Sequence, residues 1–136
     1  MKKVFVNGTF DVIHRGHLAM LNFAKFHGDF LLVGIDSDRR VKEMKGHDRP
    51  FNNQETRKDI MENFKAVNGV KIFDSDEELI NMIREYEPDI MIVGSDYSDE
   101  RVIGSEYAKR LVFFERDERF STTEALQSYV DRRRLL

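Results

Sequence analysis

Five short runs of apolar residues, separated by longer segments, constrain the fold of this chain more than any other feature. Each run is nearly continuous in apolar residues, whereas a strand with one face in water alternates apolar and polar residues. The predicted strands are residues 4–6, 30–35, 70–73, 89–93 and 111–114. Strands that are buried on both faces and separated by helices predict a doubly wound α/β domain around a parallel sheet of about five strands.

Helical periodicity occupies most of the sequence between these strands. Helices are predicted over residues 16–27, 54–66 and 76–86, more weakly over 101–110, and from Thr122 to about Arg133. The polar stretch 36–53 predicts a surface excursion with one helical turn near Arg40. In such a Rossmann-like domain, right-handed crossovers place ligands at the carboxyl ends of the strands, beside the first strand. Residues with a chemical role are therefore expected directly after strands.

Composition limits the class of protein. The 136 residues fit one domain, 1–136, and 40% hydrophobic residues are enough for one core. A net charge of −3 gives no basic field for nucleic acid or an anionic membrane, and the absence of cysteine excludes thiol catalysis and Cys-ligated zinc. The N-terminus reaches Asn7 and Asp11 too soon for a signal peptide, and no apolar run approaches the roughly 20 residues of a membrane helix. We therefore expect a soluble, cytoplasmic protein.

The segment 8–17, GTFDVIHRGH, follows the first predicted strand. Gly8 gives the turn freedom to leave the strand. His14 and His17 flank Gly16 and can face the same side where the next helix begins, and the start of a helix already favours an anion. One surface histidine is usually just solvated, but two imidazoles beside free N–H groups predict a site for phosphate oxygens. The segment fits neither the dinucleotide G-x-G-x-x-G pattern nor the P-loop.

Three later segments also carry polar residues after predicted strands. They are residues 42–50 with Arg57, residues 94–97 (GSDY), and residues 116–123 (RDERFSTT). Each has an ordinary interpretation as a solvated loop, a turn or a set of helix caps. A cap and a phosphate site are compatible, since both use the free N–H groups of a helix start.

The segment 8–17 resembles the paired G-x-F-D and H-x-G-H motifs of the cytidylyltransferase-like nucleotidyltransferases. The resemblance extends over essentially the whole chain, because the later segments match the family in order. It implies that His14 and His17 are catalytic and donate hydrogen bonds to the α- and β-phosphate oxygens. The other residues it places at the nucleotide are Gly8, Thr9, Phe10, Asp11 and Gly16.

The same resemblance assigns roles to cationic residues. Sugar-phosphate adenylyltransferases of the family carry a similar K-G-x-x-R-P stretch followed by an arginine that opens the next helix. By this similarity, Lys45 reaches the triphosphate. Arg57 neutralises the leaving pyrophosphate or holds the fold around it. Arg116, in the closing R-x-x-x-x-S-T-T motif, is expected to act on the departing pyrophosphate with Lys45.

The remaining nucleotide contacts implied by the family lie in the second half of the chain. Residues of the G-x-D-[YW] pattern line the pocket for ribose or base, and the closing motif holds the β- and γ-phosphates. Arg119 stands where family members often have glycine, two residues before the serine. The implied contacts are Gly94, Asp96, Tyr97, Ser121, Thr122 and Thr123.

The reaction implied is transfer of a nucleoside monophosphate from a nucleoside triphosphate to a phosphorylated acceptor, with release of pyrophosphate. The acceptor phosphate is ionised near pH 7, so direct in-line attack needs positioning and charge stabilisation rather than a strong base. Magnesium is expected with the triphosphate, held largely by substrate and water rather than by a protein metal site. Relatives in the family are commonly homodimers, which implies self-association here.

The nucleotide and the acceptor stay open. The K-G-x-x-R-P stretch, the G-S-D-Y segment and Gly104-Ser105 favour ATP-dependent adenylylation of a heptose-type sugar phosphate. The closing motif and the chain length suit a CTP:glycerol-3-phosphate cytidylyltransferase equally. A non-catalytic nucleotide-binding module is the alternative from another class, although the histidines and the cationic residues are retained. A nucleic-acid-binding domain has only the run Arg132-Arg133-Arg134 in its favour.

Overall fold

In the computed structural model, which describes residues 1–94, 102–115, 126–127 and 130–132, five parallel strands form one sheet. They are β1 (Lys3–Gly8), β2 (Phe30–Asp36), β3 (Gly69–Phe73), β4 (Ile90–Gly94) and β5 (Arg110–Phe114). Their order is β3-β2-β1-β4-β5, and every pairing is parallel. The predicted doubly wound sheet is confirmed. The strand order reverses between β1 and β4, which is where such folds bind ligands.

Within residues 1–94 the strands are connected by four α-helices. They are α1 (Arg15–Phe26), α2 (Asp38–Lys45), α3 (Gln54–Glu62) and α4 (Asp76–Tyr86). Buried residues of α1 and α3 pack with Val4 and Val6 of β1, and buried residues of α4 pack with Phe5 on the opposite face. The side chains of β1 are therefore buried on both faces, as its continuous apolar run predicts.

The surface excursion after β2 contains a full helix, α2, where the sequence predicted one turn. Val41 is its one buried residue, so the segment lacks the repeated apolar spacing of a packed helix. Ser37 caps the helix by accepting a hydrogen bond from the N–H of Arg40 at 3.3 Å. The helix is thus stabilised at its start more than along its length. The next helix, α3, ends at Glu62 rather than residue 66, because Ala66 and Val67 turn into the core.

The weaker helix predicted over 101–110 is wrong within the described residues 102–110. A single 3₁₀ turn, Ser105–Tyr107, stands there instead. Gly104 precedes it with φ of 80°, a conformation that favours glycine, and Ala108 returns to an extended conformation before β5. The closing helix predicted from 122 to 133 lies mostly outside the described residues, and those described, 126–127 and 130–132, are helical.

Tyr86, at the end of α4, ties the helix to the sheet. Its hydroxyl lies 3.0 Å from the carbonyl oxygens of Val4 and Phe30, to which it donates. Burial raises the pKa of Tyr86 to about 12. The unfolded chain loses this proton near pH 10, so the stability that the neutral hydroxyl contributes below pH 10 is lost as the pH rises from about 10 to about 12.

We expect Tyr86→Phe to lower the free energy of unfolding by about 1 kcal/mol at neutral pH, the typical worth of a hydrogen bond. The variant should also lose less stability than the wild type between about pH 9 and pH 11, because it lacks the raised pKa. Urea unfolding at both pH values measures this. Tyr107→Phe, at a side chain 38% exposed, is the control and should follow the wild type. Equal pH dependence of wild type and Tyr86→Phe would contradict the prediction.

Candidate functional site

The candidate site lies at the carboxyl edge of the sheet, between β1 and β4. The chain continues from β1 to β2 on one side of this point and from β4 to β5 on the other side. Gly8 ends β1 and Gly94 ends β4. The loop of residues 9–14 carries the chain from β1 into α1, and the segment 46–53 joins α2 to α3. Hydrogen bonds made by the side chains of Asp11 and Arg57 hold these two loops together.

His14 and His17 close the start of α1 in a reciprocal cap. His14 is the N-cap residue, and its Nδ1 accepts a hydrogen bond from the N–H of Gly16 at 3.0 Å. The Nδ1 of His17 accepts from the N–H of His14 at 3.1 Å. The two imidazoles take the places of Ser/Thr and Glu in a capping box. Their ring centroids are 3.9 Å apart, so the two rings lie together as the sequence predicted.

This cap fixes which ring nitrogen carries the hydrogen. A neutral imidazole has one donor and one acceptor nitrogen, and in both rings Nδ1 is the acceptor. The hydrogen of each neutral ring is therefore on Nε2. Of the described helices α1 to α4, only α1 has no acidic residue in its first turn. The first turn of α1 therefore adds no negative charge to the positive end of the helix dipole, beside which the two histidine rings lie.

The loop between β1 and α1 is held in a strained conformation. Phe10 and Val12 each have φ of 51°, which is unusual for a bulky or β-branched residue. The ring of Phe10 is buried, with its centroid 5.7 Å from that of His17. A Cβ on Gly8 would lie 3.1 Å from the Phe10 ring, so glycine makes room for it. Strain of this kind persists where surrounding contacts determine the backbone, often at functional sites.

Asp11 connects this loop to the segment 46–53. The carboxylate is buried, and its Oδ2 accepts a hydrogen bond from the N–H of Phe51 at 2.6 Å. Its Oδ1 accepts from the N–H of Asn52 at 2.9 Å, and Nε of Arg49 lies 3.6 Å from Oδ2. Asp11 was expected to line the nucleotide site. In the structure its oxygens bind the backbone of the second loop.

Arg57 joins the same two loops from within the core. Its side chain is fully buried, and Nη1 donates to the carbonyl oxygens of Thr9 at 2.9 Å and Asp36 at 2.7 Å. Nε donates to the carbonyl oxygen of Asn52 at 3.0 Å, and Nη2 to the Asp38 carboxylate at 2.8 Å. Of the two roles expected of Arg57, this geometry favours holding the fold over neutralising pyrophosphate.

The partners of Asp11 and Arg57 were missed by sequence reasoning. Asn52 and Asp38 lie in the polar excursion, and no spacing in the sequence links them to the loop after β1. Ser37 and Asp74, at the ends of β2 and β3, were missed too. The hydrogen bond from the Ser37 hydroxyl, 2.5 Å from Oδ1, and a second from Arg39 hold the pKa of Asp74 below its usual value.

The other expected site residues divide into two groups. Lys45 is exposed as the last residue of α2, and Gly46 follows it with φ of 99°, which turns the chain toward the segment that Asp11 holds. Gly16 is in the first turn of α1, where its N–H completes the histidine cap. The rest lie outside the described residues: Asp96, Tyr97, Arg116, Ser121, Thr122 and Thr123. Arg119, which stands where family members often have glycine, lies outside them too.

The described ranges contain neither a helix that could cross a membrane nor a cluster of side chains that could hold a metal ion. None of the helices there has the length and apolar composition needed to cross a membrane. No group of three or more His, Cys, Asp or Glu residues in the part of the chain that the structure describes is arranged to hold a metal ion.

The fold is that of a doubly wound α/β protein, and the histidine cap follows β1, beside the point where the strand order reverses and where such folds bind ligands. The family model for cytidylyltransferase-like proteins matches residues 5–131, and the chain belongs to this family. The resemblance to this family found in the sequence is confirmed.

Curated relatives agree with this assignment. The chain is 42% identical over 123 residues to the bifunctional protein HldE of Campylobacter fetus, covering 90% of this chain and 27% of the relative. It is 40% identical over 126 residues to the bifunctional protein HldE of Helicobacter pylori, covering 93% of this chain and 27% of the relative. The chain therefore spans about a quarter of the length of these curated relatives.

Solved structures support the fold. The lipopolysaccharide core biosynthesis protein of Thermoplasma volcanium superimposes with a TM-score of 0.73 at 22% identity, over 86% of this chain and 98% of that protein. Pantothenate synthetase of Thermus thermophilus superimposes with a TM-score of 0.59 at 12% identity, over 85% of this chain and 56% of the synthetase. At these identities the likeness is one of fold.

Proposed function

We propose that this chain transfers the adenylyl group of Mg–ATP to the phosphate of a heptose-type sugar phosphate and releases pyrophosphate. The observation that carries the proposal is the pair of histidine rings, 3.9 Å apart, at the start of the one described α-helix whose first turn has no acidic residue. The choice of ATP and a sugar phosphate is supported by the K-G-x-x-R-P stretch and by relatives named as the bifunctional protein HldE.

The reaction needs charge stabilisation more than proton transfer. An ionised oxygen of the acceptor phosphate attacks the α-phosphorus of ATP, and the bond from that phosphorus to the bridging oxygen of the β-phosphate breaks. The Nε2–H groups of His14 and His17 donate to the phosphate oxygens, which carry more charge as the reaction proceeds. Lys45 and Arg116 neutralise the pyrophosphate that leaves with the bonding electrons. Because Nδ1 of each histidine is bound to a backbone N–H, both rings are oriented before the substrate arrives.

The nucleotide is proposed to extend from the histidines toward β4. Gly94, Asp96 and Tyr97 would line the pocket for ribose and base, and Ser121, Thr122 and Thr123 would hold the β- and γ-phosphates. This arrangement uses the crevice at the reversal of strand order. It leaves the opposite side of β1, toward β2, for the acceptor.

Magnesium is proposed to bind as part of the Mg–ATP substrate, where it would neutralise phosphate charge. Asp11, the carboxylate of the histidine loop, binds backbone N–H groups through both oxygens. Water and phosphate oxygens are ligands that magnesium commonly keeps.

The test is pyrophosphate release with magnesium, crossing ATP and CTP against heptose 1-phosphate and glycerol 3-phosphate. We expect release with ATP and the heptose phosphate, because the Lys45 stretch and the relatives point to that pair. Release with CTP and glycerol 3-phosphate would replace the proposal with the cytidylyltransferase alternative. Nucleotide binding by calorimetry without any release would favour a non-catalytic nucleotide-binding module. We also propose a homodimer, by resemblance to the family, and a cytoplasmic location. Sedimentation of the same sample tests the homodimer.

A further inference from the structure

Phe51 carries a large aromatic side chain that is exposed to solvent beside the candidate site. Its side chain is 68% exposed. Its N–H donates to Oδ2 of Asp11 at 2.6 Å, and Asp11 lies three residues before His14 in the same loop. A single hydrogen bond thus joins the backbone of Phe51 to the loop that leads into the start of α1, where both histidines lie.

The backbone around Phe51 is fixed by two buried charged side chains. Asn52, the next residue, donates its N–H to Oδ1 of Asp11 at 2.9 Å and accepts from Nε of Arg57 at 3.0 Å. Single exposed apolar residues are common on proteins and need no explanation by themselves. Phe51 differs because a buried carboxylate and a buried guanidinium hold its segment next to the histidine loop. A side chain on such a fixed backbone loses little freedom when it binds a ligand.

The position of this segment indicates which substrate Phe51 meets. The segment follows β2 and α2, and Arg57 also donates to the carbonyl oxygen of Asp36 at the end of β2. β2 and β4 lie on opposite sides of β1. With the nucleotide placed toward β4, the acceptor occupies the side on which Phe51 stands.

The exposed side chains of the segment 46–53 suit the binding of a sugar ring. An aromatic face packs against the C–H groups of a sugar ring, and a small number of polar groups then fix its orientation. His47 and Asp48, exposed on the same segment, can bind hydroxyl groups. We propose that Phe51 binds the acceptor by packing against the ring of a sugar phosphate and so selects for ring-bearing acceptors. This inference rests on the proposed function, and it assigns to that function an acceptor-binding residue.

The test is steady-state pyrophosphate release by Phe51→Ala, with ATP and heptose 1-phosphate varied separately. We expect the KM for the sugar phosphate to rise about tenfold, which corresponds to about 1.4 kcal/mol. The KM for ATP and the melting temperature should stay at the wild-type values, because the side chain is exposed and lies away from the nucleotide. Phe51→Tyr, which keeps the ring, should retain the wild-type KM for the acceptor.

Phe26→Ala is the matched control. Phe26 is 88% exposed at the end of α1, so the variant removes the same side chain from a surface remote from the start of that helix. It should leave both KM values unchanged. An acceptor KM for Phe51→Ala within about twofold of the wild type, or an equal rise in the KM for ATP, overturns the inference. A wild-type chain that releases no pyrophosphate overturns the proposed function and this inference with it, so the two failures are distinguishable.

Discussion

Replacement of His17 by alanine is expected to lower turnover about a hundred- to a thousand-fold, the usual effect of removing one preorganised donor to developing charge. The change removes the Nε2–H that would donate to a phosphate oxygen. It also removes Nδ1, which accepts from the N–H of His14, so a loss of stability of about 1 kcal/mol accompanies it. The fold should survive, because the substitution removes only one of the two hydrogen bonds that cap the start of α1. Single-turnover kinetics and urea unfolding measure the two effects separately.

His17→Asn separates the donor from the cap. The Oδ1 of asparagine can take the place of Nδ1 and accept from His14, but nothing then stands where Nε2–H was. We expect this variant to keep wild-type stability and to lose turnover like His17→Ala. His27→Ala, at the C-terminal end of α1 and so away from the histidine pair, is the control and should keep turnover. Near-wild-type turnover in both His17 variants would remove the histidine pair from the mechanism and with it the assignment of the site.

The strands and the proximity of the two histidines could be predicted because their signals are local. A continuous apolar run marks a parallel strand buried on both faces, and each predicted bound lies within two residues of the bound in the structure. The histidines are three residues apart and contact each other through a helix start, so spacing alone brings them together. Prediction succeeded where the interacting groups are close in sequence.

The helix α2 and the partners of the buried charged side chains could not be predicted, because neither leaves a local signal in the sequence. Val41 alone is buried in α2, so no apolar period marks that helix. Asp11 binds N–H groups 40 and 41 residues away, and Arg57 binds the carbonyl oxygen of Thr9 across 48 residues. The motif G-x-F-D marks Asp11 as a site residue but says nothing of these partners. A charged side chain in a polar segment is ordinarily exposed, and only the tertiary fold reverses that.

Arg57→Met is expected to lower the free energy of unfolding by about 3–5 kcal/mol, as breaking a buried ion pair generally does. Methionine fills similar space but leaves the Asp38 carboxylate and the carbonyl oxygens of Thr9, Asp36 and Asn52 without their donor. Urea unfolding measures the loss against the wild type.

Lys58→Met is the matched control for this change. Lys58 is the next residue on α3, 42% exposed, with its Nζ 4.0 Å from Glu62, so its replacement should alter stability by no more than about 0.5 kcal/mol. Arg57→Lys keeps the charge without the planar fork that serves several acceptors at once, so its loss should be smaller than that of Arg57→Met.

The comparison of stability with turnover in Arg57→Lys decides between the two roles of this arginine. Because Arg57 holds both Thr9 and Asn52, it sets the position of the histidine loop relative to the segment of Phe51. If it holds the fold, stability and turnover fall together, and so does the protection of the Phe51 amide from hydrogen exchange. A fall in turnover with unchanged stability and unchanged protection would show instead that the guanidinium meets the pyrophosphate.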